Sequence, residues 1–192
     1  MLPKTMTTIR NAEARDVDAI ARVHVATWRS TYPGLVPDTI LVGMSEQRHT
    51  EMWRRSVAEP RGDVVIVADH PRDGVVGFAS CGALRGSNLP FAGEVYTLYV
   101  QQDHQGRGLG RRLLARCFGA LLERAYPTAI VWVLATNPSR FFYRAMGGEP
   151  VADRTEALWG VLMDESAYGW RDLRAALTSS CMAVAPPPED HS

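Results

Sequence analysis

The spacing of apolar residues along the chain predicts one domain of mixed α-helices and β-strands. Apolar positions three and four residues apart indicate helices over residues 16–32, 45–59 and 109–123. Apolar runs of strand length occupy residues 7–10, 63–69, 75–84, 93–100, 128–135, 149–155 and 163–170, the last two as a closing hairpin. The early strands follow one another through turns, which is typical of an antiparallel meander, whereas strand, helix and strand over residues 93–135 are typical of a parallel pair.

Breaking and capping residues set the boundaries of these elements. Pro33 ends the first helix, residues 33–44 are predicted to form a loop, and Ser45 can cap the second helix. After about Leu177 no pattern would fold. We therefore expect a single domain over residues 1–178 and a disordered tail over residues 179–192.

Glycines stand between the strand ending at residue 100 and the helix that follows, at Gly106, Gly108 and Gly110. The first turn of a helix has backbone N–H groups without helical partners and a partly positive end, and glycines let a bulky anion approach the backbone. Positive charge at the same turn comes from Arg107, Arg111 and Arg112. This segment predicts a phosphate-binding site.

The spacing of the glycines discriminates between phosphate ligands. A Walker A loop needs GxxxxGK[ST], which the chain lacks, and the dinucleotide fingerprint needs GxGxxG with a later acidic residue, whereas the glycines here read GxGxG. What the chain contains is Q-x-x-G-x-G, from Gln105 to Gly110, between a strand and a helix. In this it resembles the GCN5-related N-acetyltransferase (GNAT) superfamily, whose loop of that form holds the pyrophosphate of acetyl-CoA.

A second segment carries the same resemblance. Asn137 is followed by a predicted helix that contains Phe142-Tyr143 and closes on Gly147, as in the family's other signature, but Gly148 stands where the family frequently has an aromatic residue. The resemblance covers residues 7–172 and implies the GNAT fold, an α/β arrangement. Its central, mostly antiparallel sheet has about seven strands, a splayed parallel pair that receives the pantetheine arm, and flanking helices.

The resemblance implies an acetyl-CoA-dependent N-acetyltransferase that transfers the acetyl group directly to a primary amine, with acetyl-CoA as cosubstrate and no metal. The amine must lose a proton and the departing thiolate benefits from gaining one. Tyr143 stands where the family's tyrosine reaches the thioester sulfur, so it is the candidate acid. Its alternative role is to pack against the cosubstrate without donating a proton.

Glu94 is the candidate base, acting directly or through water. In the histone-acetylating branch of the family a glutamate occupies the corresponding strand position, and period-two alternation would place Glu94 on the same face as Tyr96, Leu98 and Val100. The alternative is a solvated residue at the start of a strand, with a chain of water molecules removing the proton.

The remaining site residues follow from the same segments. The backbone of the strand end and the side chain of Asn137 can hold the pantetheine arm, although Asn137 can equally be a simple helix cap. The predicted cosubstrate contacts are Leu98, Tyr99, Val100, Gln105, Gly106, Arg107, Gly108, Leu109, Gly110, Arg111, Asn137 and Tyr143. In the family the segment after the first strand forms one wall of the acceptor site, so the candidate substrate contacts are Trp28 and Tyr32; for Trp28 the alternative is an ordinary core position.

Composition narrows the possible partners. The 21 basic and 21 acidic residues balance, so no overall charge favours nucleic acid or an anionic membrane. No apolar run approaches the roughly 20 residues that cross a bilayer, and the N-terminus lacks a signal-peptide core, so we expect a cytoplasmic monomer or homodimer. Three scattered cysteines and five histidines without ligand spacing indicate neither a disulfide framework nor a metal site.

Two other classes of protein share parts of this pattern. A catalytically silent acyl-CoA-binding or sensor module would have the same loop, and a Rossmann domain would have glycines there, although the antiparallel middle strands disfavour it. The acceptor amine has no signature, because the segments expected to choose it contain no recognisable motif: residues 29–44, 85–93 and 156–162. Peptide or protein α-amines, lysines and small amines all stay open.

Overall fold

The structure, a computed structural model, describes residues 6–58, 62–158 and 160–179. Its strands are β1 Thr8–Asn11, β2 Val64–His70, β3 Gly74–Ala83, β4 Gly93–Val100, β5 Ala129–Leu134, β6 Glu149–Leu158 and β7 Val161–Trp170. Its helices are α1 Val17–Thr31, α2 Asp38–Gly43, α3 Glu46–Ala58, α4 Leu109–Glu123, α5 Ser139–Ala145 and α6 Leu173–Thr178. Short 3₁₀ turns precede α1 and the glycine loop, at Ala14–Asp16 and Gln102–His104.

The strands form one sheet in the order β1-β2-β3-β4-β5-β7-β6. Neighbours are antiparallel except β4 and β5, which confirms the predicted meander, parallel pair and closing hairpin. The parallel pairing is limited to Gly93 with Ala129 and Glu94 with Ile130. Beyond these two pairs β4 and β5 separate, so the predicted mixed sheet with a splayed pair is present.

Helices cover both faces of the sheet. On one face, α4 packs through Leu113, Leu114, Phe118 and Leu121 against Val95 and other residues of the central strands. On the other face, α1 and Trp53 of α3 enclose Phe78 of β3. Two buried layers on a central sheet fix the relative positions of β4, β5 and α4, which surround the site.

A bulge in β4 changes which side chains share a face. Ser80 pairs with Thr97, but Cys81 pairs with Val95, so Tyr96 is the extra residue. Val95 and Leu98, three positions apart, consequently pack in the same core cluster against α4. The prediction that Glu94 and Leu98 share a face is therefore wrong, because the inserted residue interrupts the two-residue period between them.

Two short helices were missed. The segment 33–44, predicted to be a loop, contains α2, and Leu41 of α2 is buried in a cluster with Trp28 and Tyr32. α6 follows Asp172, whose carboxylate accepts the N–H groups of Arg174 and Ala175. Helices this short are stabilised by packing rather than by propensity, so apolar spacing alone did not indicate them.

Two further expectations concern the C-terminal tail and the absence of a membrane-spanning segment. The predicted disordered tail begins at Ser179, and residues 180–192 lie outside the described part of the chain. Among the described helices, none has both the length and the apolar character needed to cross a bilayer.

The indole of Trp170, in β7, packs directly against Gly148. A Cβ atom at position 148 would lie 2.8 Å from Cζ2 of Trp170 and 2.9 Å from the carbonyl oxygen of Tyr143. The indole is held there because its Nε1 donates a hydrogen bond of 3.0 Å to the carbonyl oxygen of Met146, at the end of α5. The ring of Trp170 thus occupies the space beside position 148, where the superfamily that the sequence resembles frequently has an aromatic residue.

Candidate active site

A cleft of about 720 Å³ opens where β4 and β5 separate. Its walls come from α1, β4, the glycine loop with the start of α4, β5, α5 and β7. Both informative sequence segments therefore meet in one cavity, the glycine loop at one end and the Asn137–Tyr143 segment along its side.

The end of β4 turns unpaired backbone groups towards this cleft. The N–H of Gln101 bonds to the carbonyl oxygen of Val76 at 2.9 Å, and alternate residues of an antiparallel strand point to opposite edges. Val100 and Leu98 consequently direct their N–H and C=O groups away from β3, towards the edge of β4 that does not pair with β5. Tyr99, which pairs with Phe78, directs its own towards β3, so its predicted contact with the cosubstrate would have to come from its side chain.

The glycine loop has the conformation that its residues allow. Gly106 and Gly108 have φ values of 72° and 74°, in the left-handed region that disfavours side chains. The first helical bond of α4 runs from the N–H of Arg112 to Gly108, so the N–H groups of residues 109–111 have no helical acceptor. Gln105 ties the loop to the strand, because its Nε2 donates to the carbonyl oxygen of Val100 at 2.9 Å.

This loop fits a pyrophosphate. A Cβ atom built on Gly106 or Gly108 would meet no atom within 4 Å, which shows open space above the backbone. The N–H groups of residues 109 and 110, in the first turn of a fifteen-residue helix, add a partly positive end. All of the predicted cosubstrate residues line the cleft except Arg107, which is exposed.

Tyr143 lies on α5 with its side chain in the cleft wall, 5% exposed. Burial raises the pKa of its phenol, and the nearby Tyr32 hydroxyl raises it further. Within the described part of the chain its hydroxyl makes no hydrogen bond, so its proton is available to a bound ligand. Asn137, at the same wall, accepts the N–H of Ser139 through its Oδ1 at 2.8 Å, which is a capping interaction at the start of α5.

Glu94 is buried at the narrow end of the gap and does not line the cleft. Its carboxylate accepts the backbone N–H of Arg85 at 2.9 Å. Burial raises the pKa of Glu94, opposed by that hydrogen bond and by the charges of Arg154 and Arg85. The alternative role of Glu94, a solvated residue at a strand start, is therefore wrong, because its side chain is buried.

A cluster of aromatic side chains forms part of the cleft wall. Trp28 donates from Nε1 to the hydroxyl of Tyr99 at 2.9 Å, and its ring packs on that of Tyr32 at 4.4 Å between centroids. Both predicted substrate residues thus line the cleft while also being buried in a small core cluster. Trp28 is therefore both a core residue and part of the cleft wall.

Several cleft residues were not identified from the sequence: Thr27, Thr31, Tyr96, Thr97, Trp132 and Glu165. Glu165 comes from β7, and its carboxylate binds the guanidinium of Arg154 at 2.7 Å. The side-chain oxygen of Thr27 and Nε1 of Trp132 are buried without a hydrogen-bond partner among the described residues. No local motif marks these positions, since only strand pairing brings β7 beside β5.

Comparison with known proteins agrees with this geometry. The acetyltransferase (GNAT) domain model matches residues 60–147. The uncharacterized N-acetyltransferase YuaI of Bacillus subtilis (strain 168) is 37% identical over 174 residues, which span 90% of this chain and 98% of YuaI. The chain belongs to the GNAT family of acetyltransferases. This acetyltransferase family uses acetyl-CoA as its acetyl donor and needs no catalytic metal.

Solved structures support the GNAT fold. A ribosomal-protein-alanine N-acetyltransferase of Brucella melitensis aligns with a TM-score of 0.60 at 27% identity, covering 85% of this chain and 98% of its own. The PaiA N-acetyltransferase of Thermoplasma acidophilum, solved in complex with coenzyme A, aligns with a TM-score of 0.59 at 16% identity, covering 83% of this chain and 97% of its own. At the lower identity, the likeness concerns the fold alone.

Proposed function

We propose that this GNAT acetyltransferase transfers the acetyl group of acetyl-CoA directly to a primary amine. The observation that carries the proposal is the gap between β4 and β5, which joins a phosphate-binding loop, free strand backbone and a buried tyrosine in one cleft. The cosubstrate supplies a thioester whose carbonyl carbon the amine attacks. Side chains and backbone of this chain would bind the donor, polarise its carbonyl group and supply an acid and a base.

The loop and the strand end would bind and orient the donor. The N–H groups of residues 109 and 110 would bind the pyrophosphate, and the backbone groups of Leu98 would bind the amides of the pantetheine arm. The carbonyl of Val100 is already bonded to Gln105, so its N–H is the group left to polarise the acetyl carbonyl.

Tyr143 would act as the acid. As the amine nitrogen bonds to the carbonyl carbon, the carbon–sulfur bond breaks and the thiolate takes the phenolic proton. The raised pKa of Tyr143 keeps the phenol protonated across the physiological range, which is the state an acid must start from. Solvent returns the proton to Tyr143 after the products leave.

Glu94 would accept the proton that the amine loses. A carboxyl group whose pKa is raised by burial is a stronger base than an exposed one. Because Glu94 lies beside the cleft rather than in its wall, the proton would pass through water. This favours the water-mediated form of the base over direct contact with the amine.

The first experiment is calorimetric titration of the purified protein with acetyl-CoA, followed by thiol release with a panel of amines. The panel contains peptides with free N-termini, lysine and small primary amines. Saturable binding together with turnover on one class supports the proposal. Binding without turnover on any amine would favour a silent acyl-CoA-binding module, and absence of binding would refute the assignment of the cleft.

Tyr143→Phe tests the role of Tyr143 as an acid separately from its role in binding CoA. We expect kcat to fall by about 100-fold or more, the usual range for a lost general acid, with little change in the Kd for CoA. Tyr168→Phe is the matched control, because Tyr168 is similarly buried but does not line the cleft. An unchanged kcat in Tyr143→Phe would remove Tyr143 from the acid role.

Gly108→Glu tests the loop in the same assays. A carboxylate beside the pyrophosphate should abolish CoA binding through like-charge repulsion, and the left-handed φ of Gly108 adds backbone strain. Gly108→Ala carries the strain without the charge, so the difference in Kd between the two variants isolates the electrostatic effect. Equal Kd values for both variants would contradict a phosphate at this position.

A further inference from the structure

His70, Asp73 and His104 meet at one edge of the sheet, outside the set of residues that lines the cleft. The Nδ1 atom of His70 lies 2.8 Å from Oδ2 of Asp73, and Nε2 of His104 lies 3.3 Å from the same oxygen. One donor atom from each of the three residues lies within 4.8 Å of the other two. We propose that these three side chains bind a zinc ion.

The fold brings the three residues together from two separate segments. His70 ends β2, and Asp73 lies in the turn to β3, which Gly74 closes with a φ of 70°. His104 ends the 3₁₀ turn that follows β4. Because Gly77 near the start of β3 pairs with Val100 at the end of β4, the turn and the 3₁₀ segment lie at the same edge. Sequence spacing could not indicate this arrangement, since the ligands are not in one motif.

The charges in the cluster favour a bound cation. Two imidazole nitrogens converge on a single carboxylate oxygen, and the rings pack edge to face with centroids 5.1 Å apart. Among the described residues, Asp73 forms ion pairs with these histidines and with no arginine or lysine. The backbone N–H groups of Asp73 and Arg72 approach Nδ1 of His70 at 3.2 and 3.4 Å, long contacts that a metal would readily replace.

The donor set indicates which metal. Two imidazoles and a carboxylate are ligands typical of zinc, with bond lengths of about 2.0–2.2 Å in tetrahedral geometry. Ligand atoms around such an ion are separated by roughly 3.3 Å, close to the 3.3 Å between Nε2 of His104 and Oδ2 of Asp73. The side chain of Asp73 is 51% exposed, which leaves room for a water molecule as fourth ligand.

The position of the site predicts a structural effect. His104 immediately precedes Gln105, whose side chain ties the glycine loop to β4. A zinc ion would therefore join the β2–β3 turn to the beginning of that loop and restrain both. Since the unfolded chain does not hold the three ligands together, zinc should bind the folded state preferentially and stabilise it.

The test uses tag-free, EDTA-treated protein titrated with ZnCl₂ in a calorimeter, with CoCl₂ as a spectroscopic probe. We expect one zinc per chain, a zinc-dependent rise in the thermal unfolding midpoint, and the visible absorption of tetrahedral cobalt. Asp73→Asn and His104→Gln should each weaken zinc binding at least about 10-fold, because losing even a residue that only orients a ligand usually has an effect of that size. His49→Gln is the control, because it removes a histidine that packs on His24 and is not part of the cluster, and it should leave binding unchanged.

Two results would overturn the proposal. One is that correctly folded protein shows neither saturable zinc binding nor the cobalt spectrum. In that case hydrogen bonds and ion pairs alone would hold the three side chains together. The other is zinc binding that Asp73→Asn and His104→Gln both leave intact while their circular dichroism matches that of the parent. The Asp73 variant guards against misfolding, since its side chain lies half-exposed in a turn.

Discussion

Replacing Gly148 by alanine tests whether the indole of Trp170 has taken the space beside that position. The added methyl carbon would lie 2.8 Å from Cζ2 of Trp170, whereas non-bonded carbons are comfortable at about 3.5–4.0 Å. It would also lie 2.9 Å from the backbone oxygen of Tyr143, which cannot turn away as a side chain can. One of these neighbours must move.

The magnitude follows from two opposing effects. An extra methyl group in a packed interior costs about 1–3 kcal/mol. Alanine restricts the unfolded chain more than glycine does, which returns about 0.4–1 kcal/mol. We therefore expect Gly148→Ala to lower the free energy of unfolding by about 1–2 kcal/mol.

The indole is tested by repeating the substitution in the Trp170→Phe background. Phenylalanine lacks the ring carbon nearest to the new methyl, so Gly148→Ala should cost about 1 kcal/mol less there than in the parent, a coupling usual for residues in contact. Trp170→Phe alone should also destabilise the protein, because the hydrogen bond from its Nε1 to Met146 is lost.

The assay is urea unfolding followed by far-UV circular dichroism, which is less sensitive than fluorescence to the loss of one tryptophan. Gly119→Ala is the matched control: Gly119 lies inside α4, and its nearest potential contact is 3.7 Å away at Arg116, so alanine should raise stability by about 0.5–1 kcal/mol. If the effects of Gly148→Ala and Trp170→Phe add within about 0.5 kcal/mol, the argument that Trp170 constrains position 148 is refuted.

Two further predictions concern buried titratable groups. Burial lowers the pKa of His24 to about 3, so between pH 6.5 and 3 the unfolded chain takes up a proton that the folded protein refuses, and stability falls as the pH falls. By pH 5 the free energy of unfolding has fallen by about 2 kcal/mol. In urea unfolding at pH 7 and pH 5, the free energy of unfolding should depend less on pH in His24→Gln than in the parent. An identical pH dependence in the two proteins would contradict this explanation. Glu94→Gln should lower kcat by about 10-fold or more and remove an acidic limb from the pH profile of kcat/KM, whose persistence would exclude Glu94 as the base.

Most of the fold could be predicted because its long elements have strong patterns. The spacing in α4 and the continuous apolar runs of β2, β3 and β5 leave little choice of structure, and the glycines before α4 require the turn that they form. These are local properties, in which each residue's preference agrees with the final structure. The resemblance carried by Gln105–Gly110 then placed these elements in a known order.

What could not be predicted depends on residues distant in the chain. The extra residue at Tyr96 exists only in relation to its pairing partner, so alternation misassigned the face of Glu94. Which residues of the glycine loop line the cleft, with Arg107 not among them, is a property of the folded loop. Glu165 reaches the cleft because β7 pairs with β5, a long-range pairing that no window of sequence contains.

The gap between β4 and β5 also has a consequence for how much folded protein exists. Strand edges normally find partners within the sheet, and here the edge of β4 beyond Glu94 does not pair with β5. A ligand at 100 times its Kd stabilises the folded state by about 2.7 kcal/mol, which lowers the unfolded fraction about 100-fold. If the donor binds in the gap, the resistance of this protein to proteolysis should rise and fall with the supply of acetyl-CoA, so that scarcity of the metabolite removes the enzyme as well as its substrate.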